Sequence, residues 1–315
     1  MREDAAASFV VRDLHFVGAP AHGAQPAAAP LHALRLDFRA GELTVLLGAP
    51  EDGGPSLLRL LAGLARPDRG AVVVDGQDLA RVSAAELAAH RRTLGLALGD
   101  PAASLLTDAD ALTNVELPLR VRGLAPREAR AAAEATLRAL DFPPDRRRAR
   151  DYSPAQQRVL ALAAALAPRP ARLLLEEPAR GLDALATDDV WQQLRDYAAR
   201  PAPGGAPDEL GGTVIVATTD AALAARAPRT IVMREGRAIA ERVRTVAFAR
   251  GGGDRFEEYA LLDAGGALTR PADALRAAGI DERIEVVPQP DRLELRPERV
   301  PEQEREPRWR PRPRP

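Results

Sequence analysis

ELTVLLGAPEDGGPSLLRLLAGLARPDRGAVVVDGQDL, residues 42–79, opens on a short apolar run from Leu43 to Leu47, held between Gly41 and Gly48. A run that short, bounded by glycines, has the form of a buried central strand. A glycine-rich turn follows, then helical spacing of leucines over residues 56–64, then a second short strand at 72–74 closed by Asp75-Gly76. Strand, glycine-rich loop, helix and strand in that order describe the opening of an α/β unit.

The pattern continues on both sides. Residues 8–14 and 32–38 read as strands, separated by an Ala/Gly/Pro loop at 18–30. From 84 to about 149 the pattern is mostly helical, with breaks marked by proline, and 156–166 is a strongly apolar helix. A buried strand at 172–175 runs into Glu176-Glu177-Pro178. Then come a helix at 186–199, a strand at 213–217, a helix at 221–227 and a strand at 230–233 with the turn Glu235-Gly236. Strands alternating with helices imply a mainly parallel sheet covered on both faces.

Composition narrows the functions available. The chain has 315 residues, 46% of them hydrophobic, and a formal net charge of −1, which argues against general affinity for nucleic acid or anionic membrane. There is no Cys, so thiolate chemistry and disulfides are excluded. All 44 basic residues are Arg, and without Lys neither a phosphate-loop lysine nor a Schiff base can come from this chain. The N-terminus lacks the form of a signal peptide, and no apolar run reaches the length of a membrane span. A cytoplasmic protein docked at the inner face of the cell membrane is the expectation.

The order of blocks resembles the ATP-binding cassette family from about Val10 to Arg244. Residues 42–79 are similar to that family's strand, phosphate loop, helix and hairpin. RRTLGLALGDP (91–101) resembles the Q-loop region, and DYSPAQQRVLALAAALAPRPARLLLEEPARGLDALATDDVW (151–191) the signature helix, acidic motif and D-loop. GGTVIVATTDAALAARAPRTIVMREGRA (211–238) resembles the switch region and final hairpin. The resemblance implies a P-loop NTPase-like α/β cassette over 1–245, with N-terminal antiparallel strands and a helical subdomain at about 84–160.

The family's chemistry is then expected at matching positions. A working phosphate loop surrounds phosphate with backbone N–H groups, a Lys and a Mg²⁺-binding hydroxyl. Here Gly48 and Gly53 keep the loop's glycines, but Gly54 stands at the Lys and Pro55 at the hydroxyl, with Ser56 one position late. Glu51 and Asp52 add negative charge where a polyanion would sit. Gly99 takes the place of the Q-loop Gln. Ser153 keeps the signature serine, with Pro154 and Ala155 at its glycines, and its plainer reading is a helix N-cap. Glu176 replaces the Mg²⁺-binding Asp, Glu177 matches the general base, Asp183 matches the D-loop Asp, and Thr219 stands at the switch His. Phe16 lies within about one residue of the adenine-stacking aromatic. The expectation is ATP and Mg²⁺ bound weakly or not at all.

Beyond 245 the reading is a Gly-rich linker at 246–256, a small α+β unit at 257–300 and a disordered Pro/Arg tail at 301–315. YALLDAGGALTRPADALRAAGIDERIEVVPQPDRLELRPERV (259–300) resembles the AbrB-like swapped-hairpin fold, which implies dimerisation. Ala267 follows the glycine pair where that family commonly has Arg, so nucleic acid is disfavoured as a partner. The expected partners are a transmembrane permease and a second cassette, in a homodimer or heterodimer. The leading expectation is a degenerate cassette subunit serving as structural or regulatory partner. Two other readings stay open on the same residues: a slow ATPase using Glu177 as base with Glu176 and Ser56 holding Mg²⁺, and a dimeric regulatory or DNA-binding module through the C-terminal unit.

Overall fold

The computed structural model describes residues 7–18, 28–142, 145–199, 211–245, 255–261, 284–288 and 293–297. The chain falls into two units, Met1–Leu268 and Thr269–Pro315. The tail at 301–315, the linker over 246–254 and residues 262–283 of the small unit lie outside the described residues.

The first unit holds two sheets. β1 (Ala7–Phe16), β2 (Leu31–Arg39), β4 (Arg69–Val74) and β5 (Gln77–Asp78) form an antiparallel sheet in the order β2-β1-β4-β5. The larger sheet takes β3 (Leu43–Leu47), β6 (Leu94–Ala97), β7 (Arg172–Glu176), β8 (Thr213–Thr218), β9 (Arg229–Arg234), β10 (Arg237–Thr245) and β11 (Arg255–Ala260). Its order is β11-β10-β9-β3-β8-β7-β6. The run from β6 to β9 is parallel, and β10 and β11 add antiparallel strands at one edge.

The parallel strands are buried on both faces, and the period of two sorts their side chains. Leu43 and Val45, Leu173 and Leu175, and Val214 and Val216 turn to one face. There they meet Val190, Trp191 and Leu194 of α6 (Ala184–Ala199) and Leu223 of α7 (Ala221–Ala224). Leu46, Leu174 and Ile215 turn to the other face. On that side Leu57, Leu58, Leu60 and Leu61 of α1 (Gly54–Leu61) pack among them and among Phe9, Val11 and Phe38 of the antiparallel sheet. The helix that follows the phosphate loop is therefore clamped between two sheets.

α2 (Ala84–Arg92) lies between β5 and β6 in sequence. A third cluster holds α3 (Ala111–Val121), α4 (Pro126–Ala139) and α5 (Pro154–Leu166) through Val115, Leu119, Leu137 and Leu160. No helix among the described residues is long and apolar enough to cross a membrane.

β6 and β11 are among the strands additional to those read from the pattern. β6 lies in the stretch expected to be mostly helical. Its four residues, Leu-Gly-Leu-Ala, are too few to show a period of two, and it holds its place by pairing with β7. β11 pairs with β10 from Ala240↔Ala260 to Thr245↔Arg255, so residues 257–260 extend the larger sheet. In the second unit, β12 (Ile284–Pro288) and β13 (Leu293–Pro297) form an antiparallel hairpin with Val286 opposite Leu295.

Candidate functional site

The carboxyl ends of β3, β7 and β8 bring Gly48, Glu176, Glu177 and Thr218 around one cleft. Ligands of open parallel sheets bind at such strand ends. The cleft holds about 270 Å³, open solvent included.

A phosphate loop works through free N–H groups. Among the nine residues 48–56, Pro50 and Pro55 have none, and four others donate within the protein. Gly48 donates to the Thr218 carbonyl (3.2 Å), Asp52 to the Ala49 carbonyl (2.9 Å) and Gly53 to the Pro50 carbonyl (3.2 Å). The Ala49 N–H donates to Asp52 Oδ2 at 2.9 Å. Gly53 has φ +96° and stands at the N-cap of α1, with Gly54 and Pro55 opening the helix. Proline suits a first helical turn because an N–H there has no intrahelical acceptor. The segment is thus a well-made strand-to-helix connection with most of its donors already engaged.

The Mg²⁺ ligands do not assemble. Ser56 is only 1% exposed, its Oγ makes no hydrogen bond, and it does not line the cleft. The expected pairing of Ser56 with Glu176 is corrected by helix phase: a turn of about 100° per residue carries position 56 into the core, away from the face presented by 54 and 55. Glu176 Oε2 accepts from the Gly99 N–H at 2.9 Å and lies 3.9 Å from an Arg59 guanidinium nitrogen. A carboxylate that faces Arg59 and accepts from the Gly99 N–H, with Ser56 turned into the core, does not fit a bound Mg²⁺. Gly99 has φ +67° and no side chain, so the Q-loop position contributes only its backbone.

Glu177 is held more tightly. Its Oε2 accepts from Thr218 Oγ1 at 2.8 Å, and its Oε1 accepts from the Thr219 N–H (2.8 Å) and Thr219 Oγ1 (3.0 Å). Its N–H donates to the Ala217 carbonyl at 2.9 Å. Its carbonyl accepts from Arg158 at 3.1 Å. The residue adopts φ +48°, a left-handed conformation that a Glu seldom takes without support. The expected base and the expected switch residue therefore do meet, but they meet each other. Three donors on one carboxylate hold it as an acceptor within the fold.

Ser153 and Asp183 act as helix caps. Ser153 Oγ accepts from the Gln156 N–H (3.2 Å) and Gln156 Oε1 accepts from the Ser153 N–H (3.1 Å), a reciprocal box with Pro154 at the first helical position. Asp183 Oδ1 accepts from the Ala186 N–H at 2.9 Å, at the start of α6. Ser153→Ala is expected to lower stability by about 1 kcal/mol. The loss should appear in thermal melts to the same extent with and without nucleotide; a loss that nucleotide reverses would make the serine a ligand contact.

Phe16 is placed differently from its expectation. It is 7% exposed, faces Leu31 across the β1–β2 pair and packs in the main core, while Val17 beside it is 78% exposed. Alternation along β1 turns the ring inward, so it offers no face for a base to stack on.

Three participants were not singled out in the sequence: Arg59, Arg158 and Thr218. Arg158 had a usable signal, as an arginine leading an otherwise apolar helix. Burial lowers its pKa, with Arg180 adding to that, while Glu177, Asp100 and Glu176 oppose it.

Comparison with known proteins matches residues 31–180 to the ABC transporter family. A daunorubicin resistance ATP-binding protein of Streptomyces coeruleorubidus is 35% identical over 268 residues, covering 82% of this chain and 79% of that protein. A macrolide export ATP-binding/permease protein of Brucella abortus is 33% identical over 223 residues, 70% of this chain. The chain spans 32% of the length of that second relative. Among solved structures, a dimeric post-hydrolysis state of an ATP-binding cassette bound to ADP and Pi gives a TM-score of 0.63 at 24% identity. The match covers 74% of this chain and 97% of the other, and at that identity it speaks for the fold alone.

Proposed function

The chain belongs to the ATP-binding cassette family of transporters, and on that premise we propose that it is a cassette subunit that no longer hydrolyses ATP. Its role is structural or regulatory, paired with a transmembrane permease and with a second cassette, either another copy or an active one. The observation that carries this reading is the Glu177 carboxylate, bonded by Thr218 and Thr219. A general base must accept a proton from an attacking water, and this one is occupied by donors of its own fold. The lost Lys at Gly54 and the lost hydroxyl at Pro55 act in the same direction. The name of the macrolide export ATP-binding/permease relative supports the pairing with a permease, and the substrate is assigned to that partner.

The test is calorimetric titration of the whole chain with Mg-ATP, with Gly54→Lys/Pro55→Ser as the restored control. The wild type is expected to give no binding heat. The control is expected to gain one to two decades of affinity, as befits a charge-assisted contact of roughly 1.5–3 kcal/mol. A Cβ added at Gly54 would stand 3.3 Å from Ala217 Cβ, so the control's melting curve is recorded alongside. Micromolar binding by the wild type, with turnover that Glu177→Gln abolishes, would establish the slow-ATPase reading instead.

A further inference from the structure

Asp52 is the buried carboxylate of the phosphate loop, 7% exposed. Its Oδ2 accepts from the Ala49 N–H at 2.9 Å, and its Oδ1 accepts from the Glu235 N–H at 2.8 Å. Its own carbonyl accepts from the Gly236 N–H at 3.2 Å. One residue therefore joins the phosphate loop to the turn between β9 and β10. That turn is made for it: Glu235 and Gly236 have φ +48° and +73°, and both present their N–H groups to Asp52.

Gly48 allows the side chain to fold back over the loop. A Cβ there would lie 3.1 Å from Asp52 Cβ, 3.2 Å from Asp52 Oδ2 and 2.8 Å from the Met233 carbonyl. The glycine that looks like a remnant of phosphate binding is required by the carboxylate now lying against it. Backbone N–H groups gathered around an anion are what a phosphate loop provides, and the anion in this loop is covalently part of the protein.

We infer that Asp52 is an intramolecular anion latch: its carboxylate occupies the Ala49 N–H of the phosphate loop, fastens the loop to the β9–β10 turn through the Glu235 N–H and excludes nucleoside polyphosphates from the loop. The inference rests on the reading of the site as nucleotide-free and adds the residue that enforces it. The exclusion has two sources. The latch engages the Ala49 donor and fixes the loop's shape, and its negative charge repels a second anion brought to the same place. Restoring the lysine and the hydroxyl alone then gives only part of the recovery, because the latch remains.

The experiment compares Mg-ATP affinity by calorimetry in four full-length proteins: wild type, Gly54→Lys/Pro55→Ser, and that pair combined with Asp52→Ser or with Asp52→Asn. Adding Asp52→Ser is expected to tighten binding by about tenfold or more over the pair alone. Asp52→Asn keeps the shape and one acceptor while removing the charge, and is expected to fall between them. Circular dichroism confirms that each is folded, and the asparagine variant keeps the comparison open if the serine variant is not. Equal affinity with and without the Asp52 change, or no binding in any variant, overturns the latch. Micromolar binding by the wild type overturns the nucleotide-free reading instead, so the two failures are distinguishable.

Discussion

Replacing Arg229 with Met is expected to destabilise the cassette by about 3–5 kcal/mol, the range for removing one partner of a buried ion pair. The Arg229 side chain is 9% exposed. Its Nε donates to Glu241 at 2.5 Å, a terminal nitrogen donates to the Asp37 carbonyl at 2.6 Å, and the same nitrogen lies 3.6 Å from Glu42. Methionine fills the space but leaves two partly buried carboxylates without that guanidinium. Burial raises the Glu42 pKa above its ordinary 4.5, against the opposing charges of Arg229 and Arg39. A carboxyl whose folded pKa is raised contributes stability below its unfolded pKa and loses that contribution as pH climbs through the folded value. Removing Arg229 raises the Glu42 pKa further. Urea melts of the variant should therefore show a smaller deficit at pH 4 than at pH 7. Adding Glu241→Gln to Arg229→Met should recover part of the loss, because the remaining buried charge is the source of the cost. An equal deficit at both pH values would place the cost in packing alone.

Arg229 has a counterpart. Arg172 on β7 donates to Ser8 Oγ at 2.7 Å and pairs with Asp75, with its guanidinium 5.5 Å from the centroid of Phe9. Arg229 on β9 stands 6.0 Å from the centroid of Phe38. Each arginine ties the larger sheet to the antiparallel one, Arg172 through Ser8 and Arg229 through the Asp37 carbonyl. Two polar ties thus join, beneath the site, the two sheets between which the leucines of α1 pack.

Much of that scaffold was legible in the sequence. β3, β7 and β8 are central strands buried on both faces, so their apolar runs stand out against glycine and charge. β6 and β11 did not stand out: one is four residues long, and the other follows glycines that read as a linker. The losses at the site were equally legible, since a chain without Lys cannot hold a phosphate-loop lysine. What replaced them was not. Glu177 and Thr218 are 41 residues apart, Gly99 and Glu176 are 77 apart, and Asp52 and Glu235 are 183 apart. Only the sheet order, which sets β7 beside both β8 and β6 and sets β3 beside β9, makes them neighbours. Ser56 shows the converse. It is next to Pro55 in sequence, and the helical turn separates them in space.

Trp191→Ala is expected to cost about 3–5 kcal/mol, the range for truncating a buried aromatic. Trp191 is 1% exposed on α6, in the cluster that includes Leu173, Leu175 and Ala179, with Leu182 packed against it. Those residues bracket Glu177, so the cavity would open beneath the loop that carries it. The indole N–H makes no hydrogen bond although it is buried. A buried donor without a partner already costs about 1–3 kcal/mol. Trp191→Phe removes that donor while it removes volume, and the two changes oppose each other. The phenylalanine variant is therefore expected to lie within about 1.5 kcal/mol of wild type. Denaturant melts separate the two substitutions. If phenylalanine costs as much as alanine, the indole N–H has a partner and the site around α6 is hydrated. If phenylalanine is tolerated and alanine is not, the tryptophan is there for its volume, and the Glu177 loop rests on packing.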